Sequence, residues 1–519
     1  MNQEDEFNRH GRVKNAGKAM TFNVVATIAN RLMAFAYRLV FLHYLSAAYL
    51  GITGLFTNII LLLSFADLGI GTVLDYRLFK PISEKDTQKV GELMNFYRMV
   101  YRTIALEVLL IGMALYPFLG FFIKDAEQIP SDINLHLVYL LFLLKTLVSY
   151  GFVYKQILVS ADQRRYILSL LNAIMAFVLY CVQILILVFT GNYTLTLVAA
   201  VVIPLVFNYT VSLWIGSKYK SVFRVREVIS KEERKDILTE AKAMLCHKVG
   251  GTVKTSTDNI VLSKFVGLVA TGMYANYAMV ISTLSELIVQ MLGSFSATIG
   301  NARMELDRER RLAAYEKLLF ANFWIASVCT VCLFHLINDF IRIWLGEGMV
   351  LDRLTVIALS IEFYISSLRV ISTSYTNASG LFVRDKARPL IEAAINLAVS
   401  IVLAKQLGIA GVFFGTAISS LLTVILREPY LLYKYEFCTS SRNYWTYFFS
   451  FTILTLLLTL GFGYINKVLP AIDGIIAWII KGFLMFSICN LVLALLYLRD
   501  SNFRFYRSFF KQRLFSRNG

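Results

Sequence analysis

Long apolar runs, separated by clusters of charged or turn-forming residues, recur along the chain. They cover 20–45, 48–74, 103–123, 135–158, 166–189, 195–216, 244–266, 273–299, 317–339, 353–378, 390–408, 411–431, 447–466 and 474–498. A helix needs roughly 20 predominantly apolar residues to cross the hydrocarbon layer, and it satisfies its backbone hydrogen bonds internally, which that layer demands. The pattern therefore predicts an all-α polytopic membrane protein with about 14 transmembrane helices. Composition agrees: 57% of the 519 residues are apolar and 16% charged, against roughly 45–50% and about 25% in soluble domains. A water-soluble enzyme is excluded.

The 51 Lys+Arg against 34 Asp+Glu give a formal charge of +17. In a soluble chain such an excess points to nucleic acid; in a membrane chain it is read first against the rule that Lys and Arg collect in cytoplasmic loops. Arg9, Arg12, Lys14 and Lys18 precede the first span with no apolar signal core, so the N-terminus is expected inside and the first span is expected to remain as an uncleaved anchor. Even-numbered connections then fall inside, and they are basic: Arg77, Lys80, Lys85, Lys89, Arg98 and Arg102 in the first, Lys218, Lys220, Arg224, Arg226, Lys231, Arg234 and Lys235 in the third. The outer connection at 124–134 has Lys124 alone. After the last span, Arg499, Arg504, Arg507, Lys511, Arg513 and Arg517 put the C-terminus inside as well, as a tail suited to anionic lipid. The outer connections are too short for a catalytic surface, which excludes a polysaccharide polymerase or membrane glycosyltransferase.

Two segments share a pattern. Ile52-Thr53-Gly54-Leu55-Phe56-Thr57-Asn58 opens the second span and Ala270-Thr271-Gly272-Met273-Tyr274-Ala275-Asn276 opens the eighth, both reading x-Thr-Gly-apolar-aromatic-x-Asn. An offset of six spans preserves orientation, so two pseudo-symmetric six-helix lobes are expected as a parallel repeat, with a substrate site between them near the midplane. The expected organisation is a cytoplasmic segment 1–19, an N-lobe 20–216, a cytoplasmic linker 217–243, a C-lobe 244–431, two extra helices in 447–498 and a basic tail 499–519. Within the linker, Ser230-Lys231-Glu232-Glu233 is a capping-box-like helix start.

Charges at membrane depth are costly and mark functional sites by default. Arg31 and Arg38, seven apart, share a face of the first span; the seventh, with His247, Lys248, Lys254, Asp258 and Lys264 among glycines and hydroxyls, is too polar to face lipid. Glu362 and Arg369 share a face of the tenth, and Glu392 lies one turn before Asn396 in the eleventh. Cations in both halves imply a positively lined cavity for an anionic solute. Guanidinium suits phosphate through bidentate, charge-assisted hydrogen bonds, and Lys acts as a point charge. Arg31, Arg38, Lys248, Lys254 and Arg369 are therefore the candidate ligands of a phosphate or diphosphate headgroup. Asp258, Glu392 and Asn396 are candidate oxygen ligands of a coupling Na⁺ or H⁺, with a Lys254–Asp258 ion pair at i,i+4 as the rival arrangement. Glu107, Lys145, Lys155, Lys405 and Lys481, lone or near helix ends, read as paired or snorkelling charges. Cys329 and Cys332, one turn apart in an apolar run, read as packing. No nucleotide-binding or metal-ligand motif occurs, so no other cofactor is expected.

Several stretches resemble bacterial polysaccharide flippases of the Wzx type, in the multidrug/oligosaccharidyl-lipid/polysaccharide (MOP) exporter superfamily that also holds MATE drug exporters and the lipid II flippase MurJ. They run from Tyr49-Leu50-Gly51-Ile52-Thr53-Gly54 through Asp67-Leu68-Gly69-Ile70-Gly71 to Leu93-Met94-Asn95-Phe96-Tyr97; from His247-Lys248-Val249-Gly250-Gly251 to Gly272-Met273-Tyr274-Ala275-Asn276-Tyr277; and from Ile343-Trp344-Leu345-Gly346 through Glu392-Ala393-Ala394-Ile395-Asn396-Leu397 to Glu428-Pro429-Tyr430. The resemblance implies two lobes forming a V, with the first and seventh helices lining the cavity. Alternating access would carry an undecaprenyl-diphosphate-linked oligosaccharide from the inner to the outer leaflet of the bacterial cytoplasmic membrane. It also implies an acid on the seventh helix and polar residues on the eleventh as a cation site, where Asp258, Glu392 and Asn396 correspond by helix. Expected partners are the lipid-linked substrate, membrane lipids, a polysaccharide polymerase and glycosyltransferases, with no nucleic acid and no enzymatic activity. The rival readings are a MATE-like drug/cation antiporter, which would present carboxylates instead of cations, and a structural component of an envelope polysaccharide assembly.

Overall fold

The computed structural model describes residues 28–515 apart from 125, 163, 294–306, 386 and 469–473. Among the described residues the regular structure is all helical, without strands. Two compact units divide the chain, Met1–Thr252 and Val253–Gly519. The first contains α1 (28–44), α2 (Ala47–Leu63), α3 (Phe65–Ser83), α4 (Thr87–Leu115), α5 (Leu135–Ala161), α6 (Arg165–Thr190), α7 (Tyr193–Lys218) and most of α8 (Lys231–Val261). The second contains α9 (Leu268–Gly293), α10 (Arg308–Leu345), α11 (Arg353–Leu368), α12 (Val370–Ala378), α13 (Arg388–Leu407), α14 (Ile409–Ser420), α15 (Leu426–Leu431), α16 (Arg442–Val468), α17 (Ile475–Leu496) and α18 (Ser501–Phe515).

The described parts of the fourteen apolar stretches fall largely on helix, but not all of them reach spanning length. Eleven of the described helical segments are long and apolar enough to cross a membrane. Of the others, α2 has only 17 residues, α8 carries the charges and hydroxyls of the polar seventh stretch, and the first stretch lies partly outside the described residues.

Local chemistry sets the boundaries. Gly191 ends α6 in the left-handed conformation at φ 60°, and Asn192 immediately caps α7 by accepting from the Leu195 amide at 3.0 Å. That pairing makes a two-residue reversal between antiparallel helices. Ser230 caps α8 as its sequence suggests, its hydroxyl accepting from the Glu233 amide at 3.2 Å. The segment before α8 is ordered against the first unit: Asn95 donates to the carbonyls of Val225 and Glu227, and Lys89 meets Glu233 at 2.5 Å. The two repeat segments form the same bond, Thr53 to the Tyr49 carbonyl and Thr271 to the Gly267 carbonyl, each at 2.8 Å and each near the start of its helix.

Lipid tails are as apolar as leucine, so helices in a bilayer associate through close van der Waals packing and hydrogen bonds, and small residues govern how near they come. The tightest such contact joins α13 to α14. A Cβ on Gly411 would lie 2.1 Å from the Leu403 carbonyl oxygen, and one on Gly415 would lie 2.3 Å from Ser400 Oγ and 2.7 Å from the Ser400 backbone nitrogen. This Gly-x-x-x-Gly face lets the two backbones touch. The last helices pack on α10: Trp324 donates to Asn490 at 2.8 Å, Lys481 meets Asp339 at 2.8 Å, and His335 lies 3.0 Å from the Thr459 carbonyl. The basic C-terminal segment includes a helix, α18, capped by Asp500 and docked through Tyr506, which donates to the Lys317 carbonyl at 3.1 Å.

Candidate functional site

In the second unit, the close approach of α13 and α14 gathers polar residues from elements between α8 and α15. Lys254 on α8 is buried, 8% exposed, and its ammonium donates to Glu392 Oε1 on α13 at 3.0 Å and to Ser420 Oγ at 2.5 Å. Ser420 in turn donates to the same carboxylate oxygen at 3.1 Å. Arg369, at the junction of α11 and α12, reaches Glu392 Oε1 at 3.5 Å, and Arg388, one turn before Glu392, donates to its Oε2 at 2.9 Å. Arg388 also meets Asp385 at 2.5 Å and Glu428 at 3.6 Å, and Thr373 donates to Glu428 at 2.8 Å. Arg427 stands 3.7 Å from Asp385. Lys254, Arg369, Arg388 and Arg427 thus face the carboxylates of Asp385, Glu392 and Glu428, and Asp258 one turn from Lys254 supplies a fourth acid.

Asp258 forms a second, adjoining cluster. Thr416 Oγ1 lies 3.2 and 3.3 Å from the two carboxylate oxygens, and Asn396 Nδ2 donates to Thr416 Oγ1 at 2.8 Å. Ser400, one turn on from Asn396, donates to the Val412 carbonyl at 3.0 Å. The oxygens gathered here are the Asp258 carboxylate, the Thr416 and Ser400 hydroxyls and the Val412 carbonyl, chemistry that suits a hard cation, while Asn396 turns its amide nitrogen toward them and its oxygen toward Thr257 at 3.5 Å. Asp258 and Asn396 are both buried. Among the described residues no group of three or more His, Cys, Asp or Glu is arranged to hold a metal ion.

The first unit is built differently. On α1, Arg31 and Arg38 are both half-buried, and ring contacts of Tyr37 with Tyr180 at 5.6 Å and Phe41 with Tyr193 at 6.0 Å set this helix on α6 and α7. Lys155 on α5 donates to the Ser212 carbonyl at 3.1 Å and sits 5.3 Å from the Phe223 ring centroid; Arg98 on α4 donates to the Tyr154 hydroxyl at 3.2 Å. Mid-helix Lys145 is exposed and makes no hydrogen bond or ion pair among the described residues. Ion pairs of this unit, such as Arg77 with Glu240 and Arg164 with Asp162, are partly exposed.

The sequence reading singled out Lys254, Arg369, Glu392, Asp258 and Asn396 individually, and the structure brings them together. It gives Lys254 a different carboxylate partner, Glu392, where i,i+4 spacing suggested Asp258. Lys248 lies outside the residues whose side chains are described. Arg388, Thr373, Thr416, Ser420 and Glu428 were not singled out for the site. Two signals in the sequence point to them: Arg388 precedes Glu392 by four residues, and Gly411-x-x-x-Gly415 marks a helix face that must meet a partner closely, with Thr416 beside it.

Comparison with known proteins places this architecture. A sequence profile of the polysaccharide biosynthesis protein family matches residues 16–295, more than half of the chain. No curated protein matches it in sequence. Among solved structures, the lipid II flippase MurJ in an inward closed conformation superposes with TM-score 0.66 at 13% identity, covering 92% of this chain and 99% of that one. An inward-facing MATE-family multidrug resistance transporter of the MOP superfamily superposes with TM-score 0.56 at 14% identity, covering 78% and 94%. A MOP superfamily transporter from Pyrococcus furiosus, described as having a binding pocket of reversed polarity, gives TM-score 0.53 at 14% identity over 80% and 93%. The fold is that of these transporters, and by its sequence the chain belongs to the polysaccharide biosynthesis protein family.

Proposed function

We propose that this multi-pass membrane protein flips an undecaprenyl-diphosphate-linked oligosaccharide from the inner to the outer leaflet of the bacterial cytoplasmic membrane by alternating access, supplying a cell-surface polysaccharide. The supporting observation is the charge chemistry of the first unit, where Lys155 and Arg98 rest on neutral oxygens and Lys145 stands without a partner among the described residues. Bringing a bare diphosphate into hydrocarbon costs tens of kcal/mol by Born estimates, so the path must replace water with fixed cations. Arg31 and Arg38 carry that role first, being guanidiniums one above the other on α1. Lys254 and Arg369 share Glu392 and meet the headgroup only in a conformation that loosens that carboxylate.

In the same reading, Asp258, Asn396, Thr416 and Ser400 bind a coupling Na⁺, or Asp258 takes H⁺, and Glu392 serves the adjoining cations. One elementary charge moved through 100 mV is worth about 2.3 kcal/mol, so a single coupled ion biases export usefully. Partners in this role are the glycosyltransferases that build the repeat unit and the polymerase that consumes it.

The test is transport in reconstituted vesicles. A fluorescent polyprenyl-diphosphate oligosaccharide should become accessible to an impermeant quencher in a protein-dependent way, and a cationic dye should not be moved. Dye export without lipid movement would establish the drug-antiporter reading; movement of neither would leave a structural component. Replacing Na⁺ with K⁺ at fixed pH, and shifting pH at fixed Na⁺, separates the two coupling ions.

A further inference from the structure

At the basic end of the second unit a cavity of about 520 Å³ opens between the start of α13 and the α14–α15 segment. Two guanidiniums mark its mouth. Arg384, in the short 3-10 turn Leu381–Asp385, is exposed, its guanidinium 4.3 Å from the Tyr435 ring centroid, and it forms no ion pair among the described residues. Arg427 lies 5.5 Å from the Tyr430 ring centroid with its side chain 45% exposed, and only its Nε faces an acid, Asp385 at 3.7 Å. Asp385 is buried and taken by Arg388 from beneath. The charge that the cavity presents outward is therefore positive. Its remaining wall is hydrocarbon: Ile391, Leu422 and Leu426 line it and are each at least half exposed, continuing the apolar outer faces of α13 and α15.

We infer that this cavity binds an anionic glycerophospholipid of the leaflet at the protein's basic face, phosphate on Arg384 and Arg427 and an acyl chain along Ile391, Leu422 and Leu426. Basic pockets between helices on the cytoplasmic side have the chemistry for acidic lipid headgroups. Cation–π contacts with the Tyr435 and Tyr430 rings restrain both guanidiniums, so less side-chain freedom is lost when a phosphate arrives. Bulk lipid is the occupant favoured by mass action, since it surrounds the protein at far higher concentration than any polyprenyl intermediate.

The measurement is the preference of spin-labelled phosphatidylglycerol over spin-labelled phosphatidylcholine for the full-length protein in phosphatidylcholine vesicles. At about 1 kcal/mol per arginine near an anionic lipid, Arg384→Gln or Arg427→Gln should lower that preference about fivefold, and the double change about 30-fold. Both side chains are exposed, so the variants should fold, and Arg384→Lys with Arg427→Lys should keep most of the preference. An unchanged preference in the double Gln variant overturns the inference. An equal loss from Arg504→Gln with Arg507→Gln, two exposed arginines of α18, also overturns it, because it would reveal a diffuse surface charge. Displacement of phosphatidylglycerol from the unaltered protein by millimolar inorganic phosphate would make this a free-phosphate site, and stoichiometric displacement by undecaprenyl phosphate would make it a substrate portal. Either result removes the phospholipid assignment.

Discussion

The two units treat the cations of their helices in opposite ways. In the second, Lys254, Arg369 and Arg388 are matched against Asp385, Glu392 and Glu428, with Glu392 alone accepting from two arginines and a lysine. In the first, Lys155 and Arg98 rest on a backbone carbonyl and a phenol, and Lys145 projects without a partner among the described residues. A matched network is held together by its own charges and has little field to spare for a ligand. Cations resting on neutral oxygens keep theirs. In a membrane, where an unmatched charge is expensive, the second pattern persists only if something else repays it.

The sharpest way to break this contrast is Glu392→Ala. Removing the shared acid leaves Lys254 and Arg388 buried without it, and breaking a buried ion pair from one side costs about 3–5 kcal/mol. Thermal unfolding in detergent should show that loss. A change below about 1 kcal/mol, the value typical of exposed pairs, would mean that the network is loose and solvated. Next in size is the coupling within the pair. Lys254→Met should hurt less than Glu392→Ala, because Glu392 keeps both arginines, and in a double-mutant cycle with Glu392→Leu the interaction energy should be about 0.5–3 kcal/mol. The analogous cycle on Lys254 and Asp258 should give the smaller term.

That ranking also shows what the sequence could and could not reveal. The polar seventh stretch, the i,i+7 arginines of α1 and the cap at Ser230 are local patterns, and local periodicity reads them directly. The partner of Lys254 lies 138 residues away, and i,i+4 spacing pointed to Asp258 because that rule sees only one helix. The contact depends on how far α13 can approach α14, which Gly411 and Gly415 permit and which no charge pattern encodes. The span count was blurred for the same reason that the site exists: α8 is polar enough to fall short of a membrane helix by composition. Helix α18 was hidden in a segment whose basic residues read as a tail, and its docking rests on Tyr506 and on Phe503, stacked 5.5 Å from Trp324.

The smallest expected effect on stability comes from Lys145→Ala. Its side chain has no partner among the described residues to lose, so unfolding should shift within about ±0.5 kcal/mol, while export of the lipid-linked substrate should fall. Unfolding destabilised by more than about 2 kcal/mol would place Lys145 in a structural role and erode the contrast between the units.

The central claim, that the anionic headgroup is handled first by cations of the first unit while Lys254, Arg369 and Arg388 of the second are committed to carboxylates, is tested most directly by comparing two double variants in one vesicle transport assay. Arg31→Ala with Arg38→Ala removes two guanidiniums; Lys254→Met with Glu392→Leu removes one cation and one anion with no net charge, and takes the shared acid from Arg369 and Arg388. Charge-assisted hydrogen bonds contribute about 1.5–3 kcal/mol each, so the arginine variant should lose at least about tenfold in headgroup transport while remaining folded. The matched-pair variant, where it remains folded, should lose less than the arginine variant, because Lys254 meets the headgroup only after Glu392 lets go. Full transport by the arginine variant, with transport abolished in a folded matched-pair variant, would contradict the account and move headgroup recognition to the second unit.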